Sequence, residues 1–354
     1  MAAYTTIDDP SAHFQVVLYT GDGAANNAIT LPGDTDMQPD FVWIKQRSAV
    51  ARAHCLFDAV RGATKFISSD AADAESTDAD TLDSFASDGF QVDADVKVNA
   101  SADTYFALCW NTQGGAGSSN TAGSINTTTT SVGTTQGFSI STYTGTGSAD
   151  ATIGHGLGVV PKFMIFKRRD ASGSWVVYHQ AIGNTKVLYL DTTSAEDGSI
   201  SSFNNTSPTS TLINFGNGAY VNASSGTYVA YVFADVQGFS KFGSYTGNGN
   251  ADGPFIYTGF RPTFIMFKKY SGTEQWSMRD TKRNPFNSST TYISNADSTE
   301  YEDSHVDYAT DFLSNGIKLR GTAGSINTSG ETYIYMAFAE QPFVNSEGVP
   351  CNAR

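Results

Sequence analysis

A block of about 100 residues is written three times in this chain, and that repetition sets the limits on what it can fold into. Each copy opens on the same turn: Tyr19-Thr-Gly-Asp-Gly23, Tyr143-Thr-Gly-Thr-Gly147 and Tyr245-Thr-Gly-Asn-Gly249. Each continues through a proline, an apolar stretch and a lysine, from Pro39 to Lys45, Pro161 to Lys167 and Pro262 to Lys268. Each closes on a long apolar run, Thr104 to Trp110, Thr227 to Phe233 and Thr332 to Phe338. The opening and closing tyrosines stand 86, 85 and 88 residues apart (Tyr19 to Tyr105, Tyr143 to Tyr228, Tyr245 to Tyr333), a constancy that insertions into an irregular chain would not preserve.

Within a copy, apolar stretches of five to seven residues rich in Val, Ile, Phe and Tyr alternate with Gly, Asn, Asp and Ser turns. The 40 Thr, 38 Ser and 34 Gly beside only 6 Met suit strands and turns, so helices should be few. The closing run is apolar at consecutive positions, which predicts a central strand covered on both faces. The expected fold class is therefore all-β, as three tandem antiparallel β-sandwich repeats of jelly-roll-like form. The expected boundaries are residues 1–112 for a leader and the first repeat, 137–237 for the second, and 238–354 for the third with a tail. Residues 113–136, rich in Gly, Ser and Thr, read as a linker that is flexible unless a partner holds it. Gln237 and Gly238 join the last two copies almost directly and predict a stiff pair.

Charge excludes several functions. With 21 Lys plus Arg against 35 Asp plus Glu the net charge is -14, so no basic face exists for nucleic acid or for an anionic membrane surface. Membrane insertion is not expected, because no apolar run approaches the ~18 residues a spanning helix needs, and the first residues lack the pattern of a secretory signal. Cys55, Cys109 and Cys351 have neither CxxC nor His partners, which encodes neither a disulfide framework nor a zinc site.

The chemistry-bearing residues are sparse. The five histidines show no i, i+4 pairing and no nucleophile motif, so no catalytic, cofactor or metal residue is assigned. Asp58 and Arg61 align with Asp280 and Arg283, while the second copy has His179 and Ile182; such a pair could bind a ligand, and a surface or hairpin-end ion pair is the commoner account. Five carboxylates between Asp70 and Asp80 suggest calcium but lack the EF-hand glycine and terminal glutamate, and read as a solvated loop. Gly154-His-Gly-Leu-Gly158 has no following Lys-Ser/Thr and reads as a tight turn before Pro161. Trp175, Tyr178, His179, Trp276 and Arg279 combine aromatic faces with polar neighbours and are the candidate ligand or host contacts, for a host surface glycan; a core position is the favoured account of the repeated tryptophans. On this reading no carboxylate pair recurs in all three copies, which counts against a glycan-cleaving enzyme but leaves open a site at a subunit interface.

Several longer phrases carry a resemblance: Tyr4-Thr-Thr-Ile-Asp-Asp-Pro-Ser-Ala-His-Phe-Gln15, Gln38-Pro-Asp-Phe-Val-Trp-Ile-Lys45, Ser119-Asn-Thr-Ala-Gly-Ser-Ile-Asn126, Gly154 to Lys162, and Gly238 to Gly249 with Tyr257 to Pro262. They resemble the repeat modules of virion structural proteins of tailed bacteriophages, particularly marine ones, over nearly the whole chain. The resemblance implies a virion protein assembled in the bacterial cytoplasm, a short tail fibre or tail appendage that forms a homotrimer, binds other proteins of the tail or capsid and contributes to host attachment. It implies no catalytic residues and no cofactor. A head fibre, capsid decoration or tail adaptor is the alternative, and a glycan-degrading enzyme a third. By position, the N-terminal repeat with its leader is expected to dock to the particle.

Overall fold

The three copies build the same sheet from the same strands in the same order. A computed structural model describes residues 3–48, 50–198, 200–290 and 292–351. In the first unit the order is Phe14–Thr20, Thr104–Trp110, Phe41–Gln46, Cys55–Asp58, all antiparallel. The second unit has Phe138–Thr144, Thr227–Phe233, Phe163–Arg168, Val176–His179 and Leu188–Tyr189, and the third Ser240–Thr246, Thr332–Pro342, Phe260–Lys269, Ser277–Asp280 and Ser294–Asn295. The fold is all-β, and the few helices among the described residues are single turns.

Each closing run sits between the opening strand and the proline strand, and both its faces are buried. In the first unit Phe106, Leu108 and Trp110 point one way and Tyr105, Ala107 and Cys109 the other, each set into its own apolar cluster. A period-2 backbone with apolar surroundings on both sides explains why the sequence does not alternate there. The outer cluster of each unit is completed by a smaller sheet: Asn27–Thr30 with Gly89–Val92 and Leu82–Ala86, Ala151–Gly154 with Leu212–Phe215, or Phe255–Tyr257 with Gly316–Leu319 and Thr310–Leu313.

The inner faces meet one another. Residues of all three large sheets form a single central cluster, so the units pack on one another and are not separate tandem bodies. Trp110, Phe233 and Phe338, at the same position of the three closing strands, form a triangle with ring centroids 6.4, 6.0 and 5.6 Å apart. This triangle marks a pseudo-threefold axis through one chain.

The opening turns are held by the repeated tyrosines and by an asparagine the sequence reading did not single out. Tyr19 stacks on Tyr105, Tyr143 on Tyr228 and Tyr245 on Tyr333 at 5.0, 5.1 and 5.0 Å. A buried asparagine five residues before each closing run, Asn99, Asn222 or Asn327, accepts from the turn's backbone N–H through its side chain and again through its carbonyl. The first glycine of the turn is required by close approach: a Cβ on Gly21, Gly145 or Gly247 would stand 2.2, 2.4 or 2.3 Å from a backbone carbonyl oxygen.

Residues 113–136 are not a free linker. Thr129–Gly133 pairs with Phe138–Thr144 as an extra edge strand of the second unit, Ser118 bridges Thr130, and Ile125 is buried in that unit's outer cluster. Small residues serve backbone contact here, since a Cβ on Gly117 would lie 2.2 Å from the Thr130 oxygen. This segment is held by its own chain. The leader also docks within the chain: Ile7 joins the central cluster and Tyr4 donates to the carbonyl of Gly259 in the third unit (2.7 Å).

Candidate functional site

The chemistry-bearing side chains converge where one unit meets the next. The segment after the fourth strand, residues 59–75, 180–196 or 281–302, reaches out as an arm. The first unit's arm lies on the second unit, the second's on the third, and the third's on the first, which closes a head-to-tail ring.

Each proline strand delivers a fully buried lysine to a joint. Lys45 Nζ donates to Arg52 O in its own unit (2.6 Å) and to Thr299 O on the third unit's arm (2.7 Å). Lys167 donates to Gly173 O (2.7 Å) and to Ala72 O on the first arm (2.8 Å). Lys268 donates to Glu274 O and to Thr193 O on the second arm (2.8 Å). Burial lowers each ammonium pKa to about 8, opposed chiefly by Asp70, Asp191 and Asp297 respectively.

Beside each lysine an aromatic ring donates to the same arm. Trp175 Nε1 donates to Ser68 O (2.8 Å) and Trp276 Nε1 to Tyr189 O (2.9 Å). In the first unit His54 takes this place, its Nε2 lying 3.0 Å from Asn295 O. Trp43 Nε1 donates to His54 Nδ1 (2.8 Å), so Nδ1 holds the lone pair and Nε2 the proton. Burial holds the His54 pKa well below its ordinary value, and the neutral ring stands in for an indole. The backbone N–H groups of His54, Trp175 and Trp276 donate to Asp70, Asp191 and Asp297 at 2.9, 3.0 and 3.0 Å. Burial raises all three carboxyls, Asp297 to about 6.

A glutamate five residues beyond each aspartate completes the joint. Glu75 pairs with Arg61 of its own unit (3.2 Å) and Arg169 of the next (2.9 Å), and Glu302 pairs with Arg283 (3.0 Å) and Arg47 (2.9 Å). A carboxylate pair therefore does recur in all three copies, as Asp70/Glu75, Asp191/Glu196 and Asp297/Glu302, and its spacing was visible in the sequence once the arms were aligned. Its members are spread along an arm and bonded into a joint.

Asp58 and Arg61 are not a surface pair. Both side chains are fully buried at 2.5 Å, and Tyr231 of the second unit donates to Asp58 (2.7 Å). Asp280 and Arg283 repeat the arrangement, with the guanidinium 3.9 Å over the ring of Phe106 in the first unit. The acidic stretch from Asp70 to Asp80 is solvated only in part: its first half belongs to the first arm, with Glu75 and the carbonyls of Ala71 and Ala72 bonded into the second unit, while Asp73 and Asp80 are exposed.

The five residues proposed for ligand contact all lie inside, because strands of the large sheets are covered on both faces. Trp175, Tyr178, His179, Trp276 and Arg279 are 0, 4, 0, 1 and 1% exposed. Trp175 and Trp276 are joint residues. Tyr178 packs on Phe203, burial lowers the His179 pKa to about 3, and Arg279 donates to Tyr308 O while burial lowers its pKa to about 10. No face of this set is open to a glycan. Cys55 and Cys109 are buried free thiols and Cys351 an exposed one.

The family model described as Domain of unknown function (DUF7483) matches residues 9–342. The chain belongs to this family. No curated protein and no solved structure matches it. The match runs through all three units and all three joints, so the DUF7483 domain is the complete ring rather than one copy of its repeat.

Two depressions lie between elements of this DUF7483 ring. One, of about 200 Å³, is lined by Asp9, Asp34, Glu340 and Lys282 between the first and third units. Two of its carboxylates are committed, Asp9 accepting from Ser11 and Thr35 and Glu340 from Arg261. The other, of about 300 Å³, is lined by Gln38, Asp40, Asn111, Gln113 and Gly115. Among the described residues no three His, Cys, Asp or Glu side chains stand together as a metal cluster, and no helix is long and apolar enough to cross a membrane.

Proposed function

We propose that this chain is a virion structural protein of a tailed bacteriophage, a short tail fibre or tail appendage that assembles with other virion proteins and contributes to host attachment without breaking a bond. The resemblance of its phrases to such modules supports the reading. The observation that carries it is the ring: the buried lysines of three units, with the tryptophans of two and the buried ion pairs of two, are committed to holding together a body with a pseudo-threefold axis, a shape suited to seating on a threefold or stacked assembly. One chain already supplies three units, so the mass of the purified protein against the 37.7 kDa chain shows whether a homotrimer adds a further threefold level.

The test is a phage lacking the chain. Particles that assemble but fail to adsorb support attachment, and particles that fail to assemble place the chain in the scaffold. Absence of the chain from purified wild-type particles, or cleavage of host polysaccharide by the purified protein, overturns the reading.

A further inference from the structure

Of the most deeply buried aspartates among the described residues, one differs from the rest in having no cation beside it. Four aspartates among the described residues are less than a tenth exposed: Asp40, Asp58, Asp280 and Asp311. Asp58 pairs with Arg61, Asp280 with Arg283 and Asp311 with Arg320. Asp40, 2% exposed, has no Lys, Arg or His nitrogen within 4 Å among the described residues. An ionised carboxylate removed from water needs a compensating charge or a full set of donors. Thr112 supplies two donors, its N–H at 2.8 Å and its hydroxyl at 2.6 Å, and both go to Oδ2. Neither reaches Oδ1.

The same depression is lined by a residue whose amide oxygen is buried without a donor. Asn111 is 9% exposed and lines the same depression as Asp40. Its Nδ2 donates to Gln38 O (2.8 Å), which fixes the orientation of the amide, and its buried Oδ1 has no protein donor. Asp40 N donates to Trp110 O (2.7 Å), so Asp40 is bonded to both chain neighbours of Asn111. The depression is further lined by Gln38, Gln113 and Gly115. A carboxylate oxygen that takes neither Thr112 donor and a buried amide oxygen without a donor, beside Gln38 and Gln113, form a set of hard oxygen acceptors. Such a set suits a hard cation.

We propose that Asp40 and Asn111, with Gln38, Gln113 and water completing the shell, bind a calcium ion. Calcium accepts neutral oxygens and irregular geometry, whereas magnesium demands a near-ideal octahedron and holds its water tightly. With one carboxylate in the shell the site belongs among weak ones, with Kd about 10⁻⁴–10⁻³ M. The place is particular to the first unit, because the equivalents of Asp40 are Lys162 and Thr263 and those of Asn111 are Ala234 and Ala339. It is where the chain leaves the first unit for the edge strand of the second, and Thr112 Oγ1, bonded to Asp40, also bonds Ser131 Oγ at 2.6 Å. Calcium at Asp40 would staple that crossing.

The experiment is a calcium titration of the full-length protein, followed by its thermal midpoint and by terbium emission sensitised from Trp110. The expected result is a saturating rise in midpoint with half-effect at about 0.1–1 mM calcium, a much smaller effect of magnesium, and terbium emission reversed by calcium. Asp40→Asn keeps the shape and both Thr112 contacts near Oδ2, and should weaken calcium binding at least ~tenfold. Asn111→Ala is the second variant, should Asp40→Asn fail to fold, and should weaken binding in the same direction. An unchanged midpoint in excess calcium, or an equal calcium response in the wild type and a folded variant, overturns the site.

Discussion

The joint between the first and second units and the joint between the second and third use the same lysine, tryptophan, aspartate and glutamate, yet only the former carries buried arginines. At the first joint Glu75 lies between Arg61 and Arg169, with Asp58 and Tyr231 behind them. At the second, Ile182 stands where Arg61 would be, His179 replaces Asp58, and Tyr270 replaces Arg169. Glu196 there keeps only the backbone bond from its N–H to Tyr270 O (2.9 Å) and a half-exposed ion pair with Lys186. Both arginines and the aspartate are gone together, as a buried network requires, because losing one member alone strands a charge. The ring therefore rests on the lysine and aromatic donors present at every joint, and the ion pairs are an addition that two joints make and one omits.

The strongest way to break this comparison is Arg61→Met. It leaves Asp58 buried without its cation and should cost about 3–5 kcal/mol in denaturant unfolding. The double change Asp58→His with Arg61→Ile, copying the second unit, should cost clearly less than Arg61→Met alone, and a double variant as unstable as the single one would show that the pair is needed in its own right. Trp276→Phe keeps most of the ring volume but leaves Tyr189 O without its donor, and should cost about 1–3 kcal/mol at the joint that has no arginine to compensate.

Acid sharpens the comparison through the histidines. His54 and His179 are fully buried, and burial lowers both pKa values, His179 to about 3. The unfolded chain takes up protons below about 6.5 while the folded one does not, so the stability these rings contribute is present above that pH and is lost as pH falls. Each should remove up to ~1.4 kcal/mol per pH unit, partly opposed below about 6 by the raised carboxyl of Asp297. Unfolding midpoints between pH 7 and 5 measure it, and His54→Trp, which restores the donor of the other joints, should flatten the profile. The smallest effect belongs to Lys186→Met: its side chain is 44% exposed, and the loss should stay under about 1 kcal/mol.

Much of the fold was legible. Tyrosine spacing gave the three units, and the unbroken apolar closing runs gave central strands, because burial on both faces erases alternation. The closure into a ring was not legible, since Lys45, Lys167 and Lys268 look like strand-end charges until their carbonyl partners on another unit are seen. Residues 113–136 misled by composition: glycine that permits flexibility and glycine that permits backbone contact read alike. The tryptophans were ambiguous for a related reason, because an indole that binds a sugar and an indole that donates to a neighbouring arm both need an aromatic face with polar company. Asp40 and Asn111 could be found only by comparing the copies position by position, where Lys162 and Thr263 show that the acid belongs to one unit alone.

The covalent continuity of the ring sets how it responds to dilution. Three separate subunits closing on one another would come apart as their concentration fell, but here each arm is tethered to the unit it must find at a fixed effective concentration. The ring should persist at any dilution and open only by unfolding. Each joint is also present once per chain rather than three times, so a substitution perturbs one contact and leaves two intact. That freedom is what allows one joint to keep arginines, another to dispense with them, and a third to place a histidine where its neighbours have tryptophan.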